Sequence, residues 1–193
     1  QHGEVMISSI ATIFKKLKLD THENVGWGTI DLPEMELHTT AWWIALDPMA
    51  VAGWRREELD AALVGAGRAM QTVASVLLMA DPFDLGLVAQ VQSPHAERPV
   101  IYLWEAAPGG VGMSPRLFER TDELVTGALE LVTGCDCEVG CPACVGPRGE
   151  SRLDGRALAT RLLRLLDGSA VAEPATTAAE LVAPVTGPVA PAA

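Results

Sequence analysis

The chain begins with apolar positions that alternate with polar ones. Glu4 to Leu19 reads EVMISSIATIFKKLKL, rich in β-branched residues. A break at Asn24-Val-Gly-Trp-Gly28, and the return of alternation over Thr29 to Leu32 and Met35 to Leu46, predict two or three antiparallel strands. On the strand that carries Phe14, the side chains of Phe14, Lys16 and Lys18 share one face, and those of Lys15, Leu17 and Leu19 the other. The period then changes. From Arg56 to Ala80, the residues Leu59, Leu63, Ala66, Met70, Val73, Leu77 and Leu78 recur at helical spacing, which predicts a long helix with a break at Gly65 or Gly67 and an end at Asp81-Pro82. Two short extended runs, Leu85 to Val91 and Pro99 to Glu105, predict a hairpin across the polar turn Ser93 to Arg98. A second helix follows, with Ser114 as N-cap, Pro115 at the first helical position, an apolar face of Leu117, Phe118, Leu124, Val125, Ala128, Leu131 and Val132, and Gly134 as its stop. A third spans Gly155 to Leu166, between a capping Asp154 and a terminating Gly168. The predicted fold class is α+β, an antiparallel sheet with packed helices. Residues 1–168 form one domain, and residues 169–193, which collapse mostly to Ala, Pro, Thr and Val, form a disordered tail.

Composition adds limits to this picture. A chain of 193 residues, 49% hydrophobic and 20% charged, is large enough for one domain with its own core. The formal net charge of -11 does not suit a free-standing nucleic-acid clamp. Its basic residues are nevertheless clustered, with Lys15, Lys16 and Lys18 in one group and Arg148, Arg152, Arg156, Arg161 and Arg164 in another. With no apolar run of about 18 residues and no cationic leader, the sequence predicts no membrane partner and a reducing, cytoplasmic setting.

The chemistry concentrates in Cys135, Cys137, Cys141 and Cys144, four cysteines within ten residues and the only ones in the chain. The spacing Cys-x-Cys-x3-Cys-x2-Cys lets four thiolates close on one tetrahedral ion, with Gly140 and Pro142 supplying the sharp turns. The competing readings are two disulfides, an iron-sulfur cluster and redox use of the Cys141-Pro-Ala-Cys144 pair. Disulfides need oxidising surroundings and would strain neighbours as close as Cys135 and Cys137, and redox Cys-x-x-Cys pairs do not stand beside two further thiols. A structural zinc is favoured. Four protein ligands leave no open position, so the metal shapes the fold and does no chemistry. The knuckle sits between the last two predicted helices.

Other constellations are weaker. Pro108-Gly-Gly-Val-Gly112, between a strand and a helix, is read first as a tight turn and second as a phosphate-binding loop; it lacks the Lys-Ser/Thr pair of a P-loop. His22-Glu23 and Glu36-Leu-His38 raise a hydrolase, but no His-Glu-x-x-His spacing exists, so a local hydrogen-bonded pair is the simpler reading. Trp27, Trp54 and Trp104 are expected in the core, and one of Trp42 and Trp43 outside it, because neighbours on a strand point oppositely.

Phe14-Lys-Lys-Leu-Lys, Thr21-His-Glu-Asn-Val-Gly-Trp-Gly28, Leu32-Pro-Glu-Met-Glu-Leu-His-Thr-Thr40, Ala80-Asp-Pro-Phe-Asp84, Arg98-Pro-Val-Ile-Tyr102, Pro108-Gly-Gly-Val-Gly112 and the cysteine block together resemble the C-terminal zinc-binding domain of the mitomycin-repair type DEAD/DEAH-box DNA helicases. The resemblance runs from about Glu4 to Leu166. It implies that Cys135, Cys137, Cys141 and Cys144 hold Zn2+. It implies too that the chain is an accessory domain of a superfamily 2 DNA repair helicase, in which two motor domains bind ATP and Mg2+ and move 3′ to 5′ along single-stranded DNA. The partners implied are those motor domains in cis, single-stranded or damaged DNA, and a repair nuclease. No ATPase motif is present in these residues, so the chain itself is expected not to be an enzyme. Lys15, Lys16, Lys18, Arg148 and Arg152 are the candidate nucleic-acid contacts. A free-standing zinc-stabilised interaction or scaffold protein without helicase activity is the alternative.

Overall fold

The computed structural model describes residues 1–147 and 153–169. Arg148, Arg152 and all but the first residue of the predicted tail lie outside the described residues. Along the described chain run β1 (His2–Ser9), β2 (Ile13–Leu17), β3 (Asn24–Thr29), β4 (Met35–Ala45), a single 3-10 turn (Pro48–Val51), α1 (Arg56–Leu78), β5 (Leu85–Gln90), β6 (Val100–Glu105), α2 (Met113–Glu119), α3 (Thr121–Thr133) and α4 (Gly155–Leu166). The α+β class is as expected.

The strands divide between two sheets. β1, β4, β6 and β5 lie in that order in one antiparallel sheet, while β2 and β3 pair only with each other. The continuous alternation of Glu4 to Leu19 therefore covers two strands of different fate. The first half buries Gly3, Val5 and Ile7 partly against β4; the second is exposed at every residue of β2.

Register decides which face of the main sheet is core. Trp42 lies opposite Leu103, which lies opposite Leu87; Ile44 lies opposite Ile101, which lies opposite Ala89. α1 covers this face, and the two glycines suspected of breaking it mark where it comes closest to its neighbours. A Cβ at Gly67 would stand 2.6 Å from Leu87 Cδ1 on the sheet, and one at Gly65 would stand 3.1 Å from the Ala159 Cβ of α4. The helix stays unbroken because bare backbone at these two points permits contact on both sides. It ends at Met79, in the left-handed conformation (φ 53°) and bonded back to Ser75 and Val76, two residues before the predicted Asp81-Pro82 stop. α1 is long and apolar enough to cross a bilayer, unlike the expectation from sequence, but Leu63, Ala66 and Met70 are fully buried and make it a core helix.

The helix predicted from Ser114 to Val132 is two. Gly112 (φ 87°), not Ser114, stands at the N-cap, and the chain turns at Arg120 between α2 and α3. The turn is fixed by contacts distant in sequence: Trp42 Nε1 donates to Thr121 Oγ1 at 3.1 Å, and Arg120 Nη1 donates to the Leu77 carbonyl at 2.8 Å. α4 keeps its predicted ends, with the Asp154 carboxylate accepting from the Ala157 N–H. It places Ala159, Leu162 and Leu163 in the core against α1. Leu163→Ala, at a position with no exposure, is expected to cost about 3 kcal/mol. Urea titration should show a lower midpoint with an unchanged slope.

Candidate metal centre

Cys135 and Cys137 follow the end of α3, and Cys141 and Cys144 lie in the turn before α4, so the knuckle joins these helices. The four Sγ atoms all lie within 4.8 Å of one another. Three of the separations are 3.6 Å (Cys135 to Cys141), 3.5 Å (Cys137 to Cys144) and 3.6 Å (Cys141 to Cys144). Disulfides are excluded in this arrangement, since bonded sulfurs stand about 2.05 Å apart. A tetrahedron of sulfurs about 2.3 Å from zinc has edges of about 3.8 Å, so the side chains are positioned for that ion.

The local backbone explains the arrangement. The Cys141 carbonyl accepts from the N–H groups of Cys144 and Val145, and the Cys141 N–H points at Cys144 Sγ at 3.4 Å. Gly140 is at φ 119°, and a Cβ there would lie 2.5 Å from Val145 Cγ2, so no other residue fits the bend. Burial pushes the Cys144 thiol up to about 12, whereas the Ala143 N–H and the Cys135 thiol hold Cys141 down to about 7. Zinc must displace the protons from these thiols, so occupancy rises with pH.

Arg156, on the first turn of α4, ties the knuckle to the helix before it. Its guanidinium donates to the carbonyls of Val132 (3.0 Å), Thr133 (3.0 Å) and Cys137 (2.6 Å), and its N–H donates to Val139. The bonds to Val132 and Thr133 satisfy carbonyls left open at the end of α3. The sequence reading grouped Arg156 and Arg161 with candidate phosphate contacts; both are engaged within the fold, Arg161 lying 4.2 Å from the Trp54 ring centroid. One signal was available for Arg156: a basic residue in the first turn of a helix opposes the macrodipole and calls for a partner outside the helix.

The three predicted lysines lie on or beside one ribbon but do not share a face. Lys15 and Lys16 lie on β2, with their ammonium groups 5.4 Å from the Trp27 ring and 5.7 Å from the Phe14 ring. Lys18 is past the end of β2 and pairs with Glu23 at 3.1 Å. Trp27 is 62% exposed, contrary to its expected place in the core, and Trp54 and Trp104 are only half-buried. His22, Glu36 and His38 are exposed, and among the described residues the four cysteines are the only His, Cys, Asp or Glu group arranged to hold a metal.

The glycine turn has an internal anion. The buried Glu105 carboxylate accepts from Val111 N–H (2.5 Å), Ser114 N–H (2.7 Å), Ser114 Oγ (2.7 Å) and Thr40 Oγ1 (2.7 Å). The N–H groups of Gly109, Gly110, Val111 and Ser114, which a phosphate-binding loop would offer, are thus already used. A Cβ at Gly110 (φ 74°) would also strike Thr40 Oγ1. Sequence reading missed Glu105, although an acidic residue ending an apolar strand before a glycine turn was a usable signal.

Fold and site together define a class: an α+β domain with a four-cysteine knuckle, positioned for zinc, between its last two helices. Residues 66–145 match the family model of the MrfA Zn-binding domain. It is 36% identical over 166 residues to the ATP-dependent helicase YprA of Bacillus subtilis (strain 168), itself described as uncharacterized; the match covers 86% of this chain and 22% of that protein. It is also similar to crystal structures of the DUF1998 helicase MrfA. The one bound to DNA gives a TM-score of 0.66 at 33% identity, over 86% of this chain and 22% of that one. The one bound to DNA and AMPPNP gives 0.58 at 35% identity, over 83% and 20%. The chain spans about a fifth of the length of the helicases it matches.

Two outcomes test this geometry. Arg156→Met should destabilise the fold by about 2 kcal/mol and hasten zinc loss to a chelator; Arg156→Lys should restore little, because an ammonium cannot reproduce the fork. For Glu105, burial alone would raise the carboxyl, but bonds from Ser114, Val111 and Thr40 outweigh it and hold it down at about 2 instead of 4.5. With the folded value depressed, the stabilisation is complete above the ordinary range and is lost as pH falls from about 4.5 towards 2. Unfolding midpoints across that range should show this slope in the wild type and a flatter profile in Glu105→Gln.

Proposed function

We propose that this chain is the zinc-stabilised accessory domain of an ATP-dependent DNA helicase, with Cys135, Cys137, Cys141 and Cys144 as the zinc ligands. The observation that carries this reading is the match over 86% of the chain, in sequence and in fold, to helicases of which it represents about a fifth. Zinc acts here as a staple: with all four positions taken by thiolates it offers none to water or substrate, and its binding energy is folding energy. ATP, Mg2+ and movement 3′ to 5′ belong to motor domains in the same polypeptide. The domain braces those motors and adds phosphate contacts through Lys15 and Lys16, the two β2 lysines without a carboxylate partner in the ribbon. A reducing, cytoplasmic compartment suits four thiols kept available for metal.

Elemental analysis of the purified chain should find stoichiometric zinc, and Cys141→Ser should lose the metal and cooperative unfolding together. A wild-type chain that folds cooperatively without metal would remove zinc from the model. This chain alone should hydrolyse no ATP, whereas the longer polypeptide should hydrolyse it when single-stranded DNA is added. ATP turnover by the chain alone would refute the accessory role.

A further inference from the structure

We propose that the β2–β3 ribbon binds single-stranded DNA on its Phe14 face, with a base stacked on the Phe14 ring and Lys16 set against a neighbouring phosphate. This rests on the reading of the chain as part of a DNA helicase and goes beyond it by naming the face and the stacking residue.

The ribbon has two unlike faces. Pairing sets Phe14 opposite Gly28 and Lys16 opposite Gly26, and on the other side Ile13 opposite Thr29 and Lys15 opposite Trp27. The first face is floored by bare backbone. A Cβ at Gly28 would lie 2.4 Å from Phe14 Cζ, so the ring rests across the glycine and any larger residue there would lift it away. At Gly26 a Cβ would meet nothing within 4 Å, leaving open space beside Lys16. Two glycines in a six-residue strand weaken it, a cost that fits a site where another chain approaches closely. Phe14 remains 42% exposed and Lys16 Nζ stands 5.7 Å from its ring centroid. That ammonium lies over the ring without a carboxylate partner, so a base can take its place on the π-face while the cation turns to the phosphate, a pairing that grips unpaired bases without regard to sequence.

Charge points the same way. β2 carries Lys15 and Lys16 and no acidic residue, within a chain of net charge -11. A polyanion repelled by most of the molecule has this ribbon as its local attraction. Lys18 contributes little, since Glu23 neutralises it. The opposite face, with Ile13 63% and Trp27 62% exposed around one lysine, is broader and more apolar. There Lys15 adds charge over the Trp27 ring, and Trp27 serves as the aromatic comparison to Phe14.

The test uses the zinc-loaded full chain and a short oligothymidylate carrying iododeoxyuridine, which crosslinks under light to the aromatic ring on which it stacks. The crosslink should map to Phe14. In fluorescence anisotropy, Phe14→Leu should weaken binding about tenfold at fixed salt. Lys16→Gln should reduce the slope of log affinity against log salt by about 0.7, and Trp27→Leu should leave affinity unchanged. Zinc content confirms that each variant keeps its core. A crosslink to Trp27, or full affinity in Phe14→Leu, overturns the stacking site and leaves the helicase reading standing. A wild-type chain that captures no oligonucleotide overturns the ribbon site, while the helicase reading stands or falls on the zinc and ATPase tests.

Discussion

The fold turns on the requirement that four sulfurs from one ten-residue segment occupy a volume small enough for a single ion. Crowded thiolates repel one another and a buried thiol resists ionisation, so the cluster is favourable only when a dication compensates. Because the segment joins α3 to α4, whatever closes the sulfurs also fixes the angle at which α4 returns to α1. Arg156 completes the link, with one planar cation from the start of α4 binding the end of α3 and the knuckle through three carbonyls. Local metal geometry is thereby converted into long-range packing of Ala159, Leu162 and Leu163.

The same economy governs the charged residues elsewhere. Glu105 occupies the glycine turn as a built-in anion, locking α2 onto the sheet where a phosphate could otherwise have been received. Arg120 and Arg161 are likewise committed, one to Glu123 and the Leu77 carbonyl, the other to the Trp54 ring. Once these internal roles are counted, the clustered positive charge left on the described surface is that of β2. Among the described residues, an acidic body with a cationic, aromatic ribbon suits a domain that touches a polyanion through that ribbon.

Much of this was legible from residue order. The helical period of α1, the ends and cap of α4, the knuckle spacing and the α+β class all depend on residues a few positions apart, whose geometry the chain fixes by itself. The sequence reading erred where a distant partner decided the outcome. Ser114 has the chemistry of an N-cap, but Glu105 and Thr40 draw it inside α2. The helix predicted to run through Arg120 turns there because Trp42, 79 residues from Thr121, requires it.

Apart from β3 (Asn24–Thr29), which reads as a break, and the turn between α2 and α3, the sequence by itself determined which segments are strands and helices and that four thiols would converge, since periodicity and short-range spacing are properties of neighbouring residues. Only the tertiary structure decided that β2 leaves the main sheet, that Trp27 faces solvent, that Arg156 serves backbone carbonyls 19 to 24 residues away, and that the glycine turn is already filled. Each of these outcomes is set by which surfaces meet after the chain folds back on itself, and alternation within a strand gives its two faces without saying what will cover either of them.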